Sequence, residues 1–177
     1  REGNISLLRE MARTHGFEAI ISGWVELEGR RISSTEIRNL VREGQVEEAG
    51  KLLGRHYQVR GTVIRGRDRG GRLLGFRTAN LRLYDELCPK GGVYAVRVEC
   101  DNNTYDGVAN IGYSPTFDNG EFSVETHILD FDQEIYGRPI RVNFIQRLRG
   151  EKKFPGPEAL AAQIRRDIEN AREILKS

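Results

Sequence analysis

The order of apolar and polar positions divides the chain into two textures, with the change near Gly54. Before it, the pattern is mostly helical. Residues 4 to 15 read as a helix capped by Asn4, with Ile5, Leu8 and Ala12 on one face. Phe17 to Leu27 is strand-like, and Glu28-Gly29 has turn chemistry. Ser33 and Glu36 have the three-residue offset of a capping box, which predicts a helix start within Ile32-Ser33-Ser34-Thr35-Glu36-Ile37-Arg38. Gly44 and Gly54 punctuate two short helices, the second carrying Val46, Ala49, Leu52 and Leu53. A helix–strand–helix opening belongs to an α/β layer, yet too few strands follow to complete one.

Beyond Tyr57 strand candidates recur at short spacing, at 57–65, 74–84, 92–100, 104–113, 122–131 and 138–147. Tyr94, Val96, Val98 and Cys100 alternate with Ala95, Arg97 and Glu99, and Ile140, Val142 and Phe144 alternate with Arg141 and Asn143. Turn chemistry marks the breaks at Lys90-Gly91-Gly92, Asp101-Asn102-Asn103, Asp118-Asn119-Gly120 and Tyr136-Gly137. Six short strands with no helices between them predict a mainly β fold, an antiparallel barrel. Pro157 to Leu175 reads as an amphipathic helix that packs on the barrel. Its stripe is Leu160, Ile164, Ile168, Ala171 and Leu175, with Arg165, Arg166, Asp167 and Glu169 around the rest.

A length of 177 residues suits one well-buried domain plus an appendage. The start at Arg1, without an initiating Met, is expected of an excised piece. A net charge of +2 is too small to indicate nucleic acid by itself, and no apolar run approaches a membrane span. Cys88 and Cys100 lack the spacing of a zinc or redox motif, so free thiols in a reducing cytoplasm are expected. Three scattered histidines, His15, His56 and His127, argue against a dedicated metal cage.

Candidate chemistry clusters in three places. Arg65-Gly66-Arg67-Asp68-Arg69-Gly70-Gly71-Arg72-Leu73-Leu74-Gly75 puts four glycines and four arginines into eleven positions. Glycines let backbone N–H groups converge on an anion, and arginines add charge and donors, so phosphate is the natural guest; the alternative is a basic hairpin loop. The P-loop motif fails, because Arg72-Leu73 stands where Lys-Ser/Thr is required. Just downstream, Thr78 and Asn80 are two apart and share a face if the segment is extended. A hydroxyl beside an amide suits a magnesium ion and phosphate oxygens, or else is a strand's polar outer face. In Ser123-Val124-Glu125-Thr126-His127-Ile128, alternation puts Val124, Thr126 and Ile128 on one side and Glu125 and His127 on the other. A carboxylate on a wall facing a cleft can accept an alcohol proton, whereas a lone His is more often structural.

Taken in order, these pieces resemble the riboflavin kinase family, in particular the bacterial bifunctional riboflavin kinase/FMN adenylyltransferases. The resemblance rests on Gly75-Phe76-Arg77-Thr78-Ala79-Asn80, Gly92-Val93-Tyr94, Ala109-Asn110-Ile111-Gly112, Pro115-Thr116-Phe117, Val124-Glu125-Thr126-His127, Tyr136-Gly137 and Leu148-Arg149-Gly150-Glu151-Lys152-Lys153-Phe154. It implies a six-stranded antiparallel Greek-key barrel with a C-terminal helix over residues 55–177. Residues 1–54 would be the α/β remnant of a nucleotidyltransferase domain, with Ser33, Ser34, Thr35 and Arg38 in its last phosphate motif.

The implied reaction moves the ATP γ-phosphoryl group to the riboflavin 5′-hydroxyl, giving FMN and ADP. Glu125 would be the base, and Thr78 and Asn80 would hold Mg2+ and the phosphates. Gly66, Gly70, Gly71, Arg72 and Gly75 would close over ATP, while Asn110, Leu148, Arg149 and Phe154 would border the flavin. No nucleic-acid or membrane partner is implied. Two departures stand out: Arg77 replaces the family's usual proline, and the His-x-Gly-His signature of adenylyl transfer is absent. The piece is thus expected to make FMN but not FAD, and its parent both. The rival readings are a basic nucleic-acid-binding barrel and a flavin-binding barrel without turnover.

Overall fold

The computed structural model describes residues 5–66, 75–84, 86–113 and 122–176. The chain forms two compact units, Arg1–Ile32 and Ser33–Ser177. In the first, helix α1 (Ile5–His15) is followed by a minimal hairpin, β1 (Glu26–Leu27) paired with β2 (Arg30–Arg31). The strand expected over 17–27 is therefore confined to its last two residues. A strand needs a ladder, and among the described residues of this unit only Arg30–Arg31 supplies one. Phe17, Ile20, Ile21, Trp24 and Val25 are exposed, and on α1 Ala12 is buried while Ile5 and Leu8 are not.

The second unit opens with α2 (Ser34–Glu43) and α3 (Val46–Leu53). Ser33 is the N-cap, its Oγ accepting the Glu36 N–H at 3.2 Å, as the capping-box spacing predicts. Gly44 and Gly54 end the two helices in left-handed conformation, at φ of 80° and 67°. Then come β3 (Tyr57–Ile64), β4 (Ala79–Leu83), β5 (Gly92–Cys100), β6 (Asn103–Tyr113), β7 (Phe122–Ile128), β8 (Pro139–Arg149) and α4 (Pro157–Leu175). The expected strand 74–84 starts late, at Ala79, and 122–131 stops at Ile128, before a turn in which Asp130 has a φ of 53°.

The strands close an antiparallel barrel in the order β3-β4-β7-β6-β5-β8. Consecutive β5, β6 and β7 form a meander, and β8 returns beside β5, which is the Greek-key arrangement. Inward side chains, including Tyr94, Val96, Val98, Ile111, Val124, Val142 and Phe144, fill the barrel. The outer face of β5 and β6 is apolar too: Val93, Ala95 and Val108 pack under Ala171 and Leu175 of α4. This explains why Ala95, on the face opposite Tyr94, is also fully buried. No helix among the described residues is long and apolar enough to cross a membrane.

Helices α2 and α3 belong to the same compact unit as the barrel. Val46 joins the barrel core, and the Lys90 N–H donates to the Val41 carbonyl at 3.2 Å. Gly44 lies so close that a Cβ there would stand 3.0 Å from the Arg147 Cδ and the Tyr94 Oη. The compact unit thus begins at Ser33, ahead of the boundary expected after residue 54. A single small helix face has little to bury against except the open barrel end.

Asp167 overturns one expectation. Instead of joining the solvent face of α4 it is 3% exposed. Its carboxylate accepts from Arg149 Nε and Nη2 at 3.0 and 2.8 Å and from Gln163 Nε2 at 2.8 Å. The helix stripe is wide enough to cover Asp167 because a partner from β8 waits beneath it. Removing one member of such a pair leaves a desolvated charge behind. Asp167→Ala should therefore lower unfolding free energy by about 3 kcal/mol, measured by urea denaturation. A loss below about 1 kcal/mol would mean that the pair is solvated.

Candidate active site on the barrel wall

Strand register brings Asn80, Glu125 and Asn110 together. Leu81 pairs with Val124, and Val124 with Ile111, three buried residues that face the barrel interior. The neighbouring rung therefore faces outward: Asn80 of β4 opposite Glu125 of β7, and Glu125 opposite Asn110 of β6. It continues through Val93 of β5, paired with Asn110, to Arg149 of β8, paired with Val93. Directly opposite residues have Cβ atoms about 4.5–5.5 Å apart, so the Glu125 carboxylate is flanked by two side-chain amides.

Glu125 is half-buried, and its side chain has no hydrogen-bond partner among the described residues. Burial pushes its carboxyl above the ordinary carboxylate range. Gly66, two residues after β3, lies against Asn80: a Cβ there would be 2.2 Å from Asn80 Nδ2. Only glycine lets the backbone approach so closely. Gly75 has a φ of 77°, and Thr78 stands exposed one residue before β4. Gly70, Gly71 and Arg72 lie outside the described residues, as do Pro115-Thr116-Phe117.

The flavin-side candidates separate. Arg149 faces the same wall, its guanidinium 5.7 Å from the Phe154 ring and tied to Asp167. Leu148 instead packs in the seam between barrel and α4. Ser33, Ser34, Thr35 and Arg38 form a separate group at the start of α2, where the Ser33 hydroxyl is engaged as a cap. The Arg77 guanidinium reaches the Asp132 carbonyl at 3.4 Å, so its charge is directed at the loop after β7.

Three residues near the wall have surroundings that the sequence reading did not give. Asp167 was hidden by the apparent polarity of its helix face. Glu151 sits where Gly91 and Gly112 leave room: added Cβ atoms would lie 3.0 and 2.8 Å from its carboxylate oxygens. His127 does not pair with Glu125; its Nδ1–H donates to the Arg77 carbonyl at 2.7 Å.

A cleft of about 300 Å³ lies at the other end of the barrel, lined by Arg60, Tyr84, Glu99, Asp101 and Arg141. Its charges satisfy one another, with Arg141 on Glu99 and Arg60 on Glu86 at 2.8 Å each. Asn103 in that cleft and Asn110 are seven residues apart on β6, about 23 Å. The two places are distinct.

The profile of the riboflavin kinase family (Flavokinase) matches residues 53–175. The chain belongs to the riboflavin kinase family. A curated relative, the bifunctional riboflavin kinase/FMN adenylyltransferase of Haemophilus influenzae, is 38% identical over 178 residues, covering 100% of this chain and 58% of that protein. The chain spans about half the length of the curated relatives it matches, 46% and 58% for two of them. The riboflavin kinase of Trypanosoma brucei superposes with a TM-score of 0.51 at 25% identity, over 68% of this chain and 77% of that one. A Streptococcus pneumoniae structure described as a macrolide-efflux protein gives 0.79 at 41% identity, over 93% of this chain and 54% of its own. The family match begins at residue 53, although the compact unit begins at Ser33. Family boundary and packing boundary differ because α2 and α3 close the barrel end.

The raised pKa of Glu125 has a consequence for stability. The folded protein holds that proton more tightly than the unfolded chain does. Stability from this group is complete below the ordinary carboxylate pKa of about 4.3 and is lost as pH rises through the folded value. Glu125→Gln should thus be more stable than wild type at pH 7, and the gap should close at pH 4 and below. Thermal melts across this range check it; a gap that does not change with pH contradicts the assigned burial.

Proposed function

We propose that the barrel is an ATP:riboflavin 5′-phosphotransferase that forms FMN and ADP. The observation that carries this reading is the outward rung Asn80–Glu125–Asn110, assembled from three strands inside the span of the family match. A half-buried carboxylate with a raised pKa and no side-chain partner among the described residues is suited to take a proton from an alcohol. Glu125 accepts the 5′-hydroxyl proton as the flavin oxygen attacks the γ-phosphorus. The bond to the β–γ bridging oxygen breaks, and ADP leaves with that electron pair.

Thr78 and Asn80 orient the nucleotide's phosphates, and Gly66 and Gly75 allow backbone N–H groups to approach them. The donor set also fits magnesium. Among the described residues no three His, Cys, Asp or Glu converge, so a protein cage for a metal is lacking there. A hydroxyl and an amide oxygen beside bound phosphates are the sparse oxygen ligands that this ion accepts. When bound, it would neutralise charge developing on the phosphoryl oxygens. Arg149 and Phe154, braced by Asp167, would border the flavin at the far end of the rung.

The nucleic-acid alternative loses support because two of the aromatics it would use, Tyr94 and Tyr105, are occupied elsewhere. Tyr94 is fully buried, and the Tyr105 ring packs edge-on against Phe131 with centroids 4.9 Å apart. The longer parent protein would also adenylylate FMN, and the sequence here lacks the His-x-Gly-His signature for that step. We assign the protein to the cytoplasm, where the buried Cys100 and half-buried Cys88 stay reduced.

Incubation with riboflavin, magnesium and ATP, followed by chromatography of the flavins, should yield FMN and no FAD. Glu125→Gln should cut turnover by about 10²–10⁴-fold while ATP still binds. Near-normal turnover would remove Glu125 from the role of base. Thr78→Ala should raise the KM for magnesium-ATP and leave the riboflavin KM within about twofold. If riboflavin affinity alone suffers, the phosphate assignment is wrong.

A further inference from the structure

The ladder between β4 and β7 ends at Ala79, paired with Thr126. The next outward residue on β7 is His127, where a continuing ladder would have placed Thr78 opposite it. The chain there is not strand, so residues 76–78 lack ladder hydrogen bonds to β7. His127 supplies a substitute. Its Nδ1–H donates to the Arg77 carbonyl at 2.7 Å, and its ring meets Phe76 edge-on, with centroids 5.7 Å apart and planes at 84°. A carbonyl can only accept, so the proton sits on Nδ1. The same imidazole therefore touches both residues that precede Thr78.

We propose that His127 is a positioning residue for phosphate binding: it splints the Phe76-Arg77 segment to β7 and so fixes where the Thr78 hydroxyl stands relative to Asn80 and Glu125. The inference rests on the kinase reading for its kinetic consequence, but the splint itself is a physical contact that can be read without turnover. The family's usual proline would stiffen this stretch through its locked φ. Arg77 lacks that restraint, so the hydrogen bond from His127 bears more of the ordering here. The hydrogen bond and the ring contact are separable, because two substitutions each keep one of them. His127→Phe keeps the edge-on ring and loses the donor. His127→Asn keeps an N–H near the Nδ1 position and loses the ring.

The test uses the full chain with two readouts. In steady-state kinetics, His127→Phe should raise the KM for magnesium-ATP roughly three- to tenfold, the scale of one net hydrogen bond, with the riboflavin KM unchanged. His127→Asn should recover most of that loss. In limited trypsinolysis followed by mass spectrometry, cleavage after Arg77 should accelerate in His127→Phe and return toward the wild-type rate in His127→Asn. A merely space-filling ring predicts the opposite order, with His127→Phe behaving as wild type and His127→Asn impaired, and that result overturns the proposal. Equal riboflavin and ATP effects in His127→Phe would also overturn it. If wild type forms no FMN, the kinase reading fails, whereas the tryptic rates still decide whether His127 holds the segment.

Discussion

Register among β4, β7 and β6 is the constraint on which the site depends. Side chains along a strand alternate with a period of two, so a one-residue slip of β7 would send Glu125 into the barrel and Thr126 onto the wall. The core opposes that slip strongly. Val124 and Thr126 are fully buried and Ile128 nearly so, packed with Leu81, Ala109 and Ile111 of the flanking strands. Apolar packing inside the barrel thereby sets the position of a polar rung outside it. Chemistry on the wall needs no loop to hold Asn80, Glu125 and Asn110 adjacent, and rigid strands are the more accurate scaffold.

Two helical elements complete the arrangement at either side of β8. On one side, α3 seats Val46 in the barrel core, and Arg147 donates to the Gly91 carbonyl at 2.7 Å. On the other, α4 covers Val93 and Ala95 and delivers Asp167 to Arg149. Strand β8 bulges against β5 between these contacts, with register shifts at Val93/Tyr94 and Ala95/Val96. Bulges re-aim side chains. Here the consequence is that Arg147 lies beside Tyr94, whereas Arg149 emerges at the end of the outward rung.

Much of this was legible in the sequence. The barrel follows from period-two alternation broken by turn residues, and the outward parity of Glu125 follows from the apolar Val124 and Ile128. The helix starts and stops at Ser33, Gly44 and Gly54 follow from capping chemistry. What failed did so for tertiary reasons. Phe17 to Val25 has the composition of a strand, but composition does not supply a ladder partner. Asp167 reads as a solvent-facing helix residue because its burial depends on Arg149, eighteen residues earlier. The role of His127 depends on where a ladder stops, and a single sequence does not mark that. Family resemblance named Asn80, Glu125 and Asn110, and strand register explains why those three meet.

The most direct test is a crystal structure with magnesium-ADP and a flavin bound. A Glu125 carboxylate oxygen is expected within about 2.6–3.2 Å of the flavin 5′-hydroxyl, with the ADP phosphates beside Asn80 and Thr78. A nucleotide seated instead in the cleft of Arg60 and Arg141, some seven residues away along β6, would contradict it.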